Sequence, residues 1–384
     1  MLYFMAMTAG CCIYAFMIQR MMDGRGRSLL KNEVPHPLAL ALPMVWLALF
    51  SGLRKNIGDT VFYRHSYNLY LEMGAPKPVF ELKTNILFGW AQYYATQFRE
   101  LEYKGVPQSG QLLLLTVSLV FLVPALVVLY RYSEGFSMAL FLFFAVGTYY
   151  SSMNGIRQYA AAGIILMGAH FYFEPNLRKA CAGFLPIALL ASAMHSSALI
   201  MIPVFFLVRF RAFSRLTMLI PLGAAGMVLF SGLVMPQLME SLQGTDYEIY
   251  TEMYWLSSEG GSSLLRVMAA AAPLWFAYRY PSHFEEVGVG GDVLINTTIM
   301  LVAINILGLY NWIFVRLAIY LYVFQILFLC KVFSVIRKEF GSGNLIYLGG
   351  IVLFCVYAYF MNVGTDEYRS VWMPNFRNLP PIYK

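Results

Sequence analysis

The feature that most constrains this chain is the succession of apolar runs from end to end, broken only by brief polar interruptions. A bilayer-spanning helix needs roughly 20 mostly apolar residues. About twelve stretches approach that requirement: 2–19, 37–53, 110–130, 136–152, 158–173, 180–194, 197–208, 216–236, 263–279, 292–310, 313–330 and 344–362. The pattern predicts an all-α polytopic membrane protein with about 12 transmembrane helices, in a range of roughly 10–14, forming a single integral domain over 1–384. Composition agrees. Of 384 residues 12% are charged and 59% hydrophobic, against roughly 25% charged in soluble domains. Too little polar surface remains to cover a water-soluble globule, and disordered, fibrous and disulfide-scaffold classes are excluded. Cys11, Cys12, Cys181, Cys330 and Cys355 all lie in apolar runs without a C-x-x-C pair, so they read as small buried apolar residues. The net charge of +7 is scattered between those runs, and no nucleic-acid partner is expected from it.

Stretches 180–194 and 197–208 are short and read as a tight helical hairpin with His195 at its tip. The first run lacks a preceding basic region and a small-residue cleavage site, so it is expected to be a retained helix. Alternating loops put Arg20, Arg25, Arg27, Lys31, Arg131, Arg178, Lys179, Arg209, Arg211, Arg215, Arg279, Lys331, Arg337 and Lys338 on one side, which is fourteen of the 27 basic residues. Of the other thirteen, seven fall in the long stretch 54–108, which the short-loop rule leaves out. By fourteen to six the first side is cytoplasmic, and both termini lie outside.

Two stretches are expected outside the bilayer on the outer face. In 54–108, Val79 to Tyr103 mixes Phe80, Leu82, Ile86, Leu87, Trp90, Tyr93, Tyr94 and Phe98 with Glu81, Lys83, Arg99, Glu100 and Glu102. That mixture suits an interfacial amphipathic helix or, equally, a helix packed on the bundle. The loop 237–262 combines Asp246, Glu248, Glu252 and Glu259 with Tyr247, Tyr250, Tyr254 and Trp255. Acids beside ring faces line sugar sites, and Tyr and Trp also populate ordinary interface belts.

The informative residues are the polar ones at apolar depth, because ionisable groups in a membrane bundle point to function. Four clusters collect on the predicted outer side: Ser51-Gly52-Leu53-Arg54 continuing to Asp59, Thr60 and Tyr63; Asn154-Gly155-Ile156-Arg157-Gln158; Met194-His195-Ser196-Ser197; and Asn311-Trp312 with Arg316. Arg266 lies similarly near the top of the ninth stretch. Several arginines without neighbouring acids call for an anion, since the guanidinium fork grips phosphate bidentately. Snorkelling to head groups is the plainer reading, and it suits Arg157 and Arg316 least. His195 is the one His at an outer helix junction, suited by its ordinary pKa to proton transfer, with Asp59 as second choice. No Walker loop, Rossmann glycine pattern, zinc motif or nucleophile elbow is present. Asn296-Thr297-Thr298 matches a glycosylation sequon inside a span and reads as chance.

In their order and spacing, these residues resemble the EpsG family of bacterial exopolysaccharide proteins, Wzy-like polysaccharide and O-antigen polymerases. The resemblance rests on Leu53-Arg54, Gly58-Asp59-Thr60 and Tyr63; on Asn154-x-x-Arg157-Gln158 followed by Ala160, Ala161 and Ala162; on Met194-His195-Ser196-Ser197-Ala198-Leu199-Ile200; and on Arg316-Leu317 with Tyr320. It implies a membrane glycosyltransferase (GT-C-like) architecture in the bacterial cytoplasmic membrane, with the site on the extracytoplasmic side. The implied reaction transfers the growing glycan from its undecaprenyl diphosphate to the non-reducing end of a new lipid-linked unit, with inversion and without a metal or other cofactor. The implied partners are the lipid-linked oligosaccharide, the bilayer, a flippase and a chain-length regulator.

On this reading Arg157, Arg316, Arg54 and Arg266 bind the diphosphate. His195, or Asp59 in its place, is the general base, and Tyr63, Tyr247, Tyr250 and Trp255 line the sugar groove. An O-antigen-ligase-like transferase, a lipid-linked-oligosaccharide flippase and a polysaccharide O-acyltransferase are the alternatives. A flippase wants charges at mid-span and a transporter an internal repeat. An acyltransferase wants its His nearer the inner face.

Overall fold

A computed structural model describes residues 9–17, 37–78, 85–98, 102–103, 106–107, 110–242, 261–341 and 343–362. Residues 9–17 form α1. There follow α2 (Pro37–Gly52), α3 (Thr60–Glu72), α4 (Ile86–Thr96), α5 (Gln111–Tyr132), α6 (Phe136–Ala145), α7 (Thr148–Ser151), α8 (Ile156–Met167), α9 (Ala169–Phe173) and α10 (Leu177–Ser192). The second half holds α11 (Met201–Leu207), α12 (Arg215–Leu229), α13 (Ser231–Leu242), α14 (Leu264–Ala271), α15 (Leu274–Arg279), α16 (Ser282–Glu285), α17 (Val289–Tyr310), α18 (Tyr322–Phe340) and α19 (Leu345–Asn362). Two 3-10 helices, Ser196–Ile200 and Trp312–Tyr320, complete it. The strand pairing among the described residues is β1 (Glu102–Tyr103) antiparallel to β2 (Val106–Pro107).

The all-helical expectation holds, and the described part of each apolar stretch is a helix or a broken helix. A set of twelve unbroken spans does not appear. Among the described residues, α5 and α17 are each long and apolar enough to cross a membrane. Trp312–Tyr320 and α18, bent by 72° at their junction, make a third candidate if taken together. Main-chain breaks shorten three of the others: Gly147 ends α6, Gly168 separates α8 from α9, and Pro273 separates α14 from α15. Membrane bundles tolerate such breaks where the freed backbone groups are buried in protein.

The apolar surface is compatible with a membrane protein. Leu42, Val45, Trp46 and Leu49 of α2, Leu219, Leu222 and Leu229 of α12, and Val352 and Leu353 of α19 are all exposed. Exposed apolar belts of that extent mark a lipid-facing surface. Inside, α5 packs on α2 and α8, and α17 packs on α12, α14, α18 and Trp312–Tyr320. The small run Ala160-Ala161-Ala162-Gly163 lets α8 approach α5 so closely that a Cβ at position 163 would collide with the Val120 backbone.

Polar ties join the helices. Tyr149 donates to the Leu47 carbonyl at 2.7 Å. Asn296, the chance sequon, is buried and donates to the carbonyls of Val208 and Phe210 at 3.1 and 2.5 Å. Two basic residues read as topology signals are also internal ties. Lys331 pairs with Glu134 at 2.5 Å, and Arg209 donates to the carbonyls of Phe171, Tyr172 and Glu174. These two lie at the end of the bundle opposite the candidate site.

Candidate anion and proton-transfer site

Four segments far apart in sequence meet at one end of the bundle. The turn after α2 and the turn before α8 clasp each other. Asp59 N–H donates to Asn154 Oδ1 at 3.2 Å, and Gly155 N–H donates to Asp59 Oδ2 at 3.2 Å. The clasp needs glycine twice. Gly58 and Gly155 have φ of 53° and 61°, and the Asn154 side chain lies where a Cβ on residue 58 would go. The Asp59 carboxylate thereby caps the N-terminus of α8, a place where backbone N–H groups and the helix dipole favour negative charge.

Arg157 leaves the first turn of α8. Its guanidinium lies 6.0 Å from the Tyr63 ring centroid and 5.5 Å from that of Phe88, and its buried Nε has no hydrogen-bond partner. Arg316 comes from the 3-10 helix Trp312–Tyr320, with its guanidinium 5.3 Å from the Trp312 ring and 4.0 Å from Asp59 Oδ2. A 3-10 helix of nine residues is unusually long and marks a site of constraint. Asn311 starts it by accepting from Ile313 N–H at 2.9 Å. Aromatic faces thus hold both guanidinium groups in place while consuming few of their donors.

His195 sits at the hairpin tip, as expected. Its Nδ1 accepts the Ser197 N–H at 3.3 Å and lies 2.8 Å from Ser197 Oγ. Ser197 Oγ is in turn 2.8 Å from the buried Tyr320 hydroxyl. Gln158 ties the same parts together, donating to Ser197 Oγ at 3.3 Å and to the Arg316 carbonyl at 3.0 Å. Burial first, then the charges of Arg157 and Arg316, push the His195 imidazole down to about 4. The α4 helix closes this corner: Leu87 N–H donates to the Ala193 carbonyl at 3.0 Å, and Phe88 stacks edge-on to Tyr63 at 5.8 Å. Asp59, Tyr63, Arg157, His195 and Arg316 therefore share one electrostatic environment.

Three of the residues singled out from sequence have surroundings unlike those of Arg157 and Arg316. Arg54 is 0% exposed. It donates through Nε to Thr60 Oγ1 at 2.9 Å, through Nη2 to the Met153 carbonyl at 3.1 Å, and through Nη1 to the Ser51 carbonyl and hydroxyl. Its own carbonyl accepts from Gln111 at 2.7 Å. Its donors are satisfied within the fold, so it clamps the clasp and is not free to grip a ligand. Arg266 lies elsewhere, in a small polar cavity lined also by Ser151, Asn305, Tyr322, Gln325 and Tyr357. Tyr63 supports Arg157, with burial raising its phenol above the ordinary range against the pull of that charge. Tyr247, Tyr250 and Trp255, with most of the 237–262 loop, lie outside the described residues.

Sequence reasoning gave no role to Phe88, Ser197, Gln158 or Tyr320, although the last three stand inside the quoted motifs. Their adjacency to Arg157, His195 and Arg316 was the available signal. Among the described residues no group of three or more His, Cys, Asp or Glu is placed to hold a metal ion.

No curated protein and no solved structure matches the chain. The model of the EpsG family matches residues 38–375, a span that takes in every residue of the site just described, and the chain belongs to the EpsG family.

Proposed function

We propose that this protein polymerises oligosaccharide repeat units carried on undecaprenyl diphosphate, at the extracytoplasmic face of a bacterial cytoplasmic membrane. Family membership supports a polysaccharide polymerase and glycosyltransferase-like activity in general terms. The observation that carries the finer reading is the pair of aromatic-supported guanidinium groups, Arg157 and Arg316, beside one imidazole and one carboxylate.

In the reaction the bond between C1 of the donor glycan and the lipid diphosphate breaks, and negative charge grows on the departing diphosphate. Donors fixed in advance at that position lower the barrier; removing one typically costs about 2.7–4 kcal/mol. Arg157 and Arg316 fill that role. A hydroxyl of the second lipid-linked unit attacks C1 from the opposite face, which inverts the anomeric centre, and its proton passes to a base within the site, His195 or Asp59. No metal is assigned a role. A bundle of about twelve crossings of the GT-C-like kind, several of them broken helices, with α3 and α4 at the outer interface, is the architecture we assign to it.

Purified full-length protein mixed with lipid-linked repeat units tests the proposal. A mass ladder rising by one repeat unit per step is the expected product. Translocation of the lipid-linked unit without any new glycosidic bond identifies a flippase instead.

A further inference from the structure

We infer that His195 acts as a neutral hydrogen-bond donor to the diphosphate, and that Asp59 is the base that takes the acceptor proton. This deepens the proposed polymerase reading and rests on it. The argument starts from one main-chain contact. A backbone N–H can only donate, and Ser197 N–H points at His195 Nδ1, so Nδ1 carries a lone pair and the ring proton sits on Nε2. Ser197 Oγ at 2.8 Å, with the Tyr320 hydroxyl 2.8 Å beyond it, completes a chain that donates in the same direction. Nε2 makes no hydrogen bond among the described residues. His195 therefore offers the site an N–H and holds its lone pair away from it. Burial and two flanking guanidinium groups keep the ring uncharged, the arrangement in which a neutral imidazole polarises an oxygen rather than accepting a proton.

The open lone pairs belong to Asp59. Its Oδ2 is engaged by Gly155 N–H and faces Arg316 at 4.0 Å, while Oδ1 has no partner among the described residues. The charged and titratable groups around this pair are Tyr63, Arg157 and Arg316. In the step so assigned, the acceptor O–H bond breaks and its proton goes to Asp59 Oδ1. The new bond joins the acceptor oxygen to C1, and the electron pair of the old C1–O bond leaves on the diphosphate. Arg157, Arg316 and His195 Nε2–H all donate to that group. Asp59 then returns its proton to solvent.

The test uses the full chain in nanodiscs, with undecaprenyl diphosphate as the binding probe and lipid-linked repeat units for turnover. His195→Gln keeps a neutral N–H donor and removes any base. It should keep turnover within about tenfold of the parent, whereas His195→Ala should lose about a hundredfold and bind the probe more weakly. Asp59→Asn should lose roughly 10²–10⁴-fold in turnover while binding the probe at least as tightly as the parent. The inference is overturned if His195→Gln is as inactive as His195→Ala with probe binding unchanged, or if Asp59→Asn turns over within a few-fold of the parent. Either of those outcomes leaves the polymerase reading standing. Failure of the parent chain to bind the probe or to make polymer overturns both.

Discussion

Arg54 and Arg157 stand at the same end of the same bundle, and their surroundings are opposite. Arg54 donates to neutral oxygens of the protein itself, from Ser51, Thr60, Ser118 and Met153, and none of its surface reaches solvent. Arg157 leans on two rings and leaves Nε without a partner. The comparison separates two uses of an arginine at a membrane face. One closes the main chain around itself, so that losing it opens the fold. The other rests on aromatic faces, gives one hydrogen bond to the Tyr63 hydroxyl and keeps Nε unpartnered, so that it stays ready for an anion. Position along the sequence does not distinguish the two; what consumes the donors does.

The first way to break the comparison carries the largest effect. Arg54→Leu leaves the Ser51 and Met153 carbonyls and the Thr60 hydroxyl without their donor inside the bundle. Each buried oxygen left without its donor costs about 1–3 kcal/mol, so folded yield and melting temperature should collapse. Arg54→Lys should fare little better, because one ammonium cannot reach oxygens on both turns. Next comes Arg157→Lys, which keeps the charge and loses the planar fork. It should insert and melt like the parent, with turnover down about 10²–10³-fold. A normal melting curve for Arg54→Leu, or an unfolded Arg157→Lys, would reverse the assignment of the two residues.

A third prediction concerns pH. The folded His195 is held near 4, below its unfolded value of about 6.5, so between those values the unfolded chain binds the extra proton. Stability should therefore fall as pH drops from about 6.5 toward 4. Melting of His195→Gln, measured across the same range, should be less pH-dependent. Equal slopes would mean that the imbalance arises elsewhere. The smallest effect is expected from Tyr320→Phe, which removes the last hydroxyl of the chain behind His195. It should lower kcat a few-fold with KM unchanged, and Ser197→Ala should lower it further. An effect on KM alone would place Tyr320 in substrate binding instead.

Much of the fold was legible because hydropathy reports burial in lipid directly. Each apolar stretch located a helix, and His195 fell at a hairpin tip between α10 and Ser196–Ile200. The breaks were not legible. Hydropathy is blind to main-chain direction, so neither the 72° bend after Tyr320 nor the unusually long 3-10 helix carrying Arg316 shows in an apolar average. Sidedness alone gathered Asp59, Arg157, His195 and Arg316 at one face. The order of proton-transfer roles needed the direction of one N–H bond, which no residue pattern contains. The surroundings of Arg54 and Arg266 were not legible for one shared reason: sequence shows a charge and hides its partners, here the Arg54 carbonyl network in one case and a tyrosine-lined cavity in the other.

The central claim is that Arg157 and Arg316 stabilise a departing lipid diphosphate. The most direct measurement is the release of undecaprenyl diphosphate per glycosidic bond formed, by purified protein supplied with lipid-linked repeat units in the presence of a metal chelator. The account predicts one diphosphate released per bond by the parent, and loss of both products together in folded Arg157→Lys and Arg316→Lys. Undiminished release by either variant, or polymer formed without diphosphate release, would contradict it.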